Sequence, residues 1–267
     1  MGFELIFDPL FRMPFAVGLI MSALLPLLGN LLRLRDEWLA ALGLAYLAGA
    51  SGLIGLAFGI PAVLGAPLGA VAGALAKSFG HFRGNTVYAM MVIVGWATTM
   101  LVASNSALGS VMGHALIEGQ LYFAGVLHLG AAIAVGALSL LLLPLLIPAL
   151  VRGRLIPGHE ISNRRRAWQR NIGFDLLAAL GMAIGAGTLG LMAAFALAFV
   201  PPWAAFRVAR NWRHCRWISV GIATVAYVLA FMIALVFDQP FGPVLVAVLV
   251  LMTGTVVTIR SYYRCQR

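Results

Sequence analysis

The sequence predicts an all-α, polytopic integral membrane protein with about eight to nine transmembrane helices, including one short broken helical hairpin. Of the 267 residues, 62% are hydrophobic and 10% are charged, whereas a soluble domain has about 45–50% and about 25%. Polar residues stand in short groups between apolar runs of about 20 residues, the length that crosses a bilayer. We therefore expect residues 1–267 to form a single transmembrane domain.

Seven apolar runs are long enough to be complete spans. In chain order they are about Met13–Leu32, Trp38–Gly59, Pro61–Lys77, Val87–Val102, Tyr122–Leu150, Trp217–Phe237 and Val244–Ile259. The stretch Ser104–Gln120 is too polar and too broken to be a span, so it is expected to connect the fourth run to the fifth. The turn Asp238–Pro243 joins the last two.

The basic residues predict the orientation of the chain. Every Lys and Arg except Arg12 falls in one of five groups, at residues 33–35, 77–83, 152–170, 207–216 and 260–267. Basic residues beside spans mark the cytoplasmic side, so the five groups, including the basic segment 151–171, are expected there. The net charge of +10 follows from this bias, and no nucleic-acid partner is expected.

The stretch between Arg170 and Arg207 poses a geometric problem, because both arginines belong to groups on the same side. The apolar stretch between them, Gly173–Val200, has only 28 residues. One straight helix of that length is about 42 Å long and ends on the wrong side, whereas two full spans need about 40 residues. We expect two short passes that meet near Gly185–Gly187 and are buried beside a pathway. The alternative is one bent span followed by a basic loop on the outer face.

The residues after this stretch are typical of a docking element. Pro201 and Pro202 are expected to end the membrane helix, because proline lacks a backbone N–H and clashes with the preceding turn. A short amphipathic helix over 203–212 is then expected on the cytoplasmic face. Its apolar contacts would come from Trp203 and Phe206, and its charges from Arg207 and Arg210. A plain loop that only satisfies the charge bias is the alternative.

Few residues could carry chemistry, and the chain is not expected to be an enzyme. No nucleophile–base arrangement, carboxylate pair or phosphate-binding loop is present in the sequence. His114 and Glu118 are four residues apart and share a helix face, and imidazole with carboxylate suits zinc or manganese. The other polar candidates for a transport pathway are Asn105 and His128. A histidine within the membrane can instead simply bond to a neighbouring carbonyl group.

Four segments, in order, resemble the membrane permease subunits of ATP-binding-cassette (ABC) importers for zinc, manganese and iron, the ABC-3 family. The likeness covers about Phe11–Val256. The segments are an opening helix with an arginine end (FRMPFAVGLIMSALLPLLGNLLRLR), SALGSVMGHALI at Ser106–Ile117, GTLGLMAAFALAFVPPWAAFRVA at Gly187–Ala209, and DQPFGPVLV at Asp238–Val246. The third segment is similar to the family's return helix, proline and coupling helix.

The sequence departs from the family at two pathway positions. Where the family has an Asp and a His that are thought to face the metal, this chain has Ala40 and Leu44. His114 stands where relatives usually have Asp. The resemblance therefore implies a pathway lined by these residues, for a divalent metal, a metal complex or a different solute.

The resemblance also implies the partners. A homodimeric permease in the bacterial inner membrane would work with a cytoplasmic ATPase subunit, which binds the ATP, and with a periplasmic or lipid-anchored solute-binding protein. No cofactor is expected in this chain, and membrane lipid surrounds it. A secondary transporter or channel-like protein without an ATPase is the alternative function, and a structural subunit of a membrane assembly is a third.

Overall fold

The computed structural model describes residues 9–80, 84–105, 119, 121–155 and 164–265. In this part of the chain, nine helices are long and apolar enough to cross a membrane. They are α1 (Pro9–Leu34), α2 (Ala40–Ala57), α3 (Ala62–Phe79), α4 (Asn85–Asn105), α5 (Val126–Leu155), α6 (Arg164–Leu189), α7 (Leu191–Val208), α8 (Trp212–Phe237) and α9 (Phe241–Cys265), with a 3₁₀ turn at Leu121–Phe123 before α5. The described residues contain no strand, and the all-α polytopic prediction is confirmed.

Helix α1 lies at the centre of the bundle. Its residues Val17, Met21, Leu25 and Leu28 are fully buried, and their spacing of three and four places them on one face of the helix. Helices α5, α6, α7 and α8 all pack against α1. Because lipid tails are as apolar as leucine, this packing relies on close contact between helices rather than on exclusion of water.

The two ends of the bundle differ in charge. Helices α1, α3 and α7 end, and α6 and α8 begin, at one end of the bundle, which we call the basic end. Two contacts show that these elements meet there: Arg35 pairs with Asp175 of α6, and Arg33 stacks on Phe206 of α7. Aromatic rings meet at the opposite end, and they come from the starts of α1 and α9 and from the later part of α8. The ring centroids of Phe11 and Tyr122 are 6.1 Å apart there. The described basic groups therefore share one end of the bundle, as their positions in the sequence predicted.

Helices α6 and α7 form the predicted hairpin, but they are not the two short passes that were expected. Helix α6 begins before Gly173, α7 continues past Val200, and both are long enough to cross a membrane. Gly181 and Gly185 of α6 pack on Leu28 and Leu25 of α1, so α6 runs antiparallel to α1. After α6 ends at Leu189, the chain reverses at Gly190 alone, whose φ of 97° is costly for other residues. Helix α7 then returns to the basic end. The turn lies a few residues beyond the expected Gly185–Gly187, and 72% of the most apolar stretch of α6 is buried.

The expected helix end at Pro201 and Pro202 is wrong. Both prolines are buried inside α7, which continues to Val208. Pro202 cannot donate an N–H to the carbonyl of Ala198, and this carbonyl faces Gly29 of α1 so closely that a Cβ at Gly29 would lie 1.8 Å from the oxygen. The helix therefore continues through both prolines, and its backbone lies directly against α1 at this point.

The separate helix expected over 203–212 is also wrong in its boundaries. The segment consists of the last turns of α7, an extended residue at Ala209, and the cap of α8. Asn211 begins α8 by accepting the N–H of His214 on its side-chain oxygen at 2.9 Å. We call residues 203–212 the α7–α8 corner.

The hairpin predicts that both of its flanks lie on one side of the membrane. In a background with Cys215 and Cys265 replaced by serine, Arg170→Cys and Arg213→Cys should both resist an impermeant maleimide added to intact cells. Gln239→Cys, in the exposed turn at the opposite end, is the control that should react. Reaction of only one of the two arginine-derived cysteines would contradict the hairpin.

Candidate functional site

A cavity of about 250 Å³ lies beside the tip of the hairpin. Its wall comes from α2, α3, the start of α5 and the end of α6, and it includes His128 and Gly187. A Cβ added at Gly187 would meet open space, so the backbone of the tip borders the cavity directly. His128 is the only ionisable residue among the described residues of the wall. An engineered apolar cavity of about 150 Å³ holds benzene, so this one has room for a small solute.

One nitrogen of the His128 ring is engaged within its own helix start. Nδ1 accepts the N–H of Gly125 at 3.4 Å, a long contact that assigns the proton of a neutral ring to Nε2. Nε2 makes no hydrogen bond within the described residues, so it can serve a guest in the cavity. Of the predicted pathway residues that the structure describes, His128 is the one that borders this cavity.

The other described pathway candidates lie elsewhere. Ala40 and Leu44 are buried in the hydrophobic core, at 0% and 1% exposure, and do not line the cavity. Asn105 is exposed at the end of α4, and its side chain donates to Leu101 of the same helix. His114 and Glu118 lie outside the described residues, so their predicted roles as pathway and metal ligands stay predictions.

The described residues contain no group of three or more His, Cys, Asp or Glu side chains that could hold a metal ion. One imidazole alone is too few, because zinc sites in proteins use three or four protein ligands. The described wall of the cavity thus offers one imidazole as a possible metal ligand.

At the basic end, four charged side chains form what we call the ionic cluster. Arg35 donates to Asp175 at 2.7 Å and lies 3.0 Å from Glu37. The ammonium group of Lys77 lies 2.9 Å from both Glu37 oxygens and 3.0 Å from Asp175. The hydroxyl of Tyr88 adds a longer contact of 3.5 Å to Glu37. The cluster joins the α1–α2 turn, α3 and α6.

The ionic cluster is neutral in sum and shielded from solvent. Glu37, Lys77 and Asp175 are at most 7% exposed. Burial alone would lower the pKa of Arg35, but Asp175 and Glu37 outweigh burial and raise that pKa above its usual value. Two positive and two negative groups that satisfy one another avoid the cost of a lone buried charge.

Sequence analysis missed this cluster. In the sequence, Lys77 stands at the end of the third apolar run and in one of the five basic groups, with no partner predicted for it. The available signal was the presence of ionisable residues within apolar segments, which mark a partner or a function. Lys77 is the only lysine of the chain. The sequence does not show that Lys77 pairs with both Glu37 and Asp175, because these residues are far apart along the chain.

The α7–α8 corner presents aromatic and basic side chains together. Phe206 is 36% exposed, and its ring packs edge-on against Trp212 with 5.9 Å between the ring centroids. The guanidinium carbon of Arg33 lies over the Phe206 ring, 5.5 Å from its centroid. Trp203 is partly buried, and the guanidinium of Arg207 covers its ring at 4.1 Å. Such cation–π contacts orient the two groups. Phe206, Arg207 and Arg210 are the exposed members of the predicted coupling residues, while Pro201 and Pro202 are buried.

A buried polar contact holds α8 beside α1 just after this corner. The amide of Asn30 donates to the Ser219 hydroxyl at 2.6 Å, and the Cys215 thiol donates to the Asn30 oxygen at 3.6 Å. All three residues are buried. Arg33 lies one turn beyond Asn30 on α1 and contacts Phe206. Helix α1 therefore positions both the end of α7 and the start of α8.

Two solved structures share this fold. PsaBC from Streptococcus pneumoniae, solved in complex with a Fab, has a TM-score of 0.80 at 14% identity, over 96% of this chain and 94% of that chain. A protein described as a metal-chelate type ABC transporter, in an inward-facing conformation, has a TM-score of 0.71 at 15% identity, over 96% and 88%. No protein-family model and no curated protein match the sequence.

These comparisons define the class of the chain at the level of fold. It is a multi-pass membrane protein with the all-α fold of PsaBC and of the metal-chelate type ABC transporter. The resemblance to metal-ion permeases drawn from the sequence agrees with the likeness in fold, over nearly the whole length of the chain.

The ionic cluster predicts a large effect of removing a single charge. Lys77→Met should lower the free energy of unfolding by about 3–5 kcal/mol, because it leaves buried carboxylates without a partner. Removing one charge of each sign, with Lys77→Met and Glu37→Gln together, should recover part of this loss. Thermal unfolding in detergent is the measurement, and Arg154→Met, at an exposed arginine of the basic end, is the matched control. Equal stability of Lys77→Met and Arg154→Met would refute a stabilising cluster.

Proposed function

We propose that this protein is the permease subunit of an ABC importer in the bacterial inner membrane. The observation that carries the proposal is the likeness in fold over nearly the entire chain, with a TM-score of 0.80 over 96% of its residues. The protein would act as a homodimer with the pathway between its two copies. ATP hydrolysis would take place on a separate ATPase subunit, and a solute-binding protein would deliver the solute.

The charge distribution supports an ATPase at the basic end. Basic residues beside spans favour the cytoplasmic side, where an ATPase is located. The α7–α8 corner offers an exposed aromatic ring at Phe206 between the arginines Arg33 and Arg207. Aromatic and arginine anchors often dominate the binding energy of interfaces. The corner follows the hairpin directly, so movement of a docked ATPase would reach α7 without an intervening loop.

The solute is proposed to be a divalent metal, zinc or manganese, or a complex of such a metal. The resemblance in sequence supports metal, and one structural neighbour is described as a metal-chelate type transporter. The absence of the family's ligands at Ala40 and Leu44, together with the single imidazole at the described cavity, favours the complex over the bare ion. A transporter that works without an ATPase remains the alternative, and the docking experiment below distinguishes the two.

Docking is tested by co-purification of the chain with a co-expressed ABC ATPase subunit. Phe206→Ala should weaken retention, since truncating an aromatic anchor often costs about 2 kcal/mol or more. Arg207→Glu should weaken it more at low salt than at high salt, because salt screens exposed charges. Phe58→Ala, at an exposed ring at the end of α2, and Arg154→Glu are the matched controls. Full retention by both corner variants would remove the main mechanical support for an importer.

The pathway is tested by uptake of metal and of metal complexes into cells or proteoliposomes. His114→Ala and His128→Ala should each lower uptake, by about fivefold if each loses one interaction worth about 1 kcal/mol, while the protein still assembles. Gln239→Ala is the matched polar control, because the exposed Gln239 side chain donates to the carbonyl of Phe237 within its own turn. Uptake at the wild-type level in either histidine variant would exclude that histidine from the pathway.

A further inference from the structure

Helix α8 carries two stripes of opposite environment. One stripe is buried against the bundle, as at Ser219, Ala223 and Tyr227. The other is exposed at intervals of four residues, and it consists of Arg213, Trp217, Gly221, Val225, Leu229 and Ile233. From Trp217 onward this exposed stripe has no polar side chain. An exposed apolar stripe along a membrane span is the face that contacts lipid.

Trp217 indicates the depth at which the lipid headgroups lie. It is 76% exposed and stands at the first apolar position of the stripe. Tryptophan is enriched at the boundary between the headgroups and the hydrocarbon. Arg213 precedes it by four residues, or about 6 Å along the helix axis, which places Arg213 at the level of the lipid phosphates.

The positive charge of this region is not neutralised by the described part of the protein. Arg213 is exposed and forms no ion pair with any described residue. Arg216, one turn further along α8, keeps its Nε buried without a hydrogen-bond partner in that part of the chain. The two buried carboxylates of the basic end, Glu37 and Asp175, are already held by Arg35 and Lys77.

Gly221 leaves room between the two side chains that flank it on the stripe. A Cβ added at Gly221 would meet no atom within 4 Å, and the next exposed positions are Trp217 before it and Val225 after it. The stripe therefore has a shallow gap one turn below the tryptophan, where a lipid chain can lie against the helix.

We propose that the start of α8 binds the headgroup of an anionic phospholipid. The Arg213 guanidinium pairs with the phosphate, Trp217 lies beside the glycerol region, and an acyl chain follows the gap at Gly221 toward Val225. A guanidinium group matches the geometry of a phosphate with two parallel N–H donors. The site is separate from Phe206 and Arg207 of the α7–α8 corner, and it does not rest on the proposed importer function.

The test uses the full chain in mixed micelles of phosphatidylcholine and detergent, titrated with phosphatidylglycerol, with the thermal unfolding midpoint as the readout. Phosphatidylglycerol should raise the midpoint in a saturable way. Arg213→Gln should raise the half-saturating concentration about fivefold, which corresponds to about 1 kcal/mol for one basic residue at the lipid surface. Trp217→Leu should also weaken the response. Arg170→Gln is the matched control, because it removes an exposed arginine of the same end from α6 and should respond like the wild type.

Three results would overturn this proposal. The first is an equal response of Arg213→Gln and wild type. The second is an equal shift from inorganic phosphate alone, which would indicate a plain anion site. The third is loss of the ATPase partner from Arg213→Gln as severe as from Phe206→Ala, which would assign the residue to docking. Arg213→Lys guards against a folding defect, since it keeps the charge and should respond between the wild type and Arg213→Gln.

Discussion

Two cations and two carboxylates are buried together at the basic end of the bundle. Neither the positive pair nor the negative pair could stay buried without the other. Arg35 and Glu37 belong to the turn after α1, Lys77 to the last turn of α3, and Asp175 to α6. Because a lone buried charge is far more costly than a satisfied pair, these elements are held in one arrangement. The base of the hairpin is thereby fixed to the central helix, and the α7–α8 corner packs on Arg33 of that same helix.

The two candidate functional regions lie at the two ends of one hairpin. The cavity borders the tip, through Gly187 of α6, and the α7–α8 corner lies at the base. Helix α7 has 18 residues, so about 27 Å separates its ends. Its backbone touches α1 at Gly29 with no side chain between them. A force applied at the corner would therefore move a stiff, closely packed helix. The proposed coupling needs no additional structural element to carry that movement to the tip.

The sequence alone was sufficient for the parts of the fold that follow from one-dimensional rules. Run lengths gave the spans, and the positions of the basic groups required a hairpin that starts and ends on one side. The rules failed where tertiary contacts decide. Pro201 and Pro202 lie inside a helix that packs closely on α1 at Gly29, and the ionic cluster depends on Asp175 meeting residues distant in sequence. For the candidate site, composition drew attention to His128, but only the packing of four helices showed that it borders a cavity while Leu44 does not.

The turn at Gly190 has a consequence for how such a protein is made. Two spans joined by a polar loop require the insertion machinery to carry that loop through the membrane to the far side. Here the connection between α6 and α7 is one glycine, and both flanks stay at the basic end, so no polar segment has to be translocated. With the basic end at the proposed cytoplasmic face, the hairpin can enter the membrane as a unit from that face. Helices α1 and α3 then cover α6, against which both of them pack.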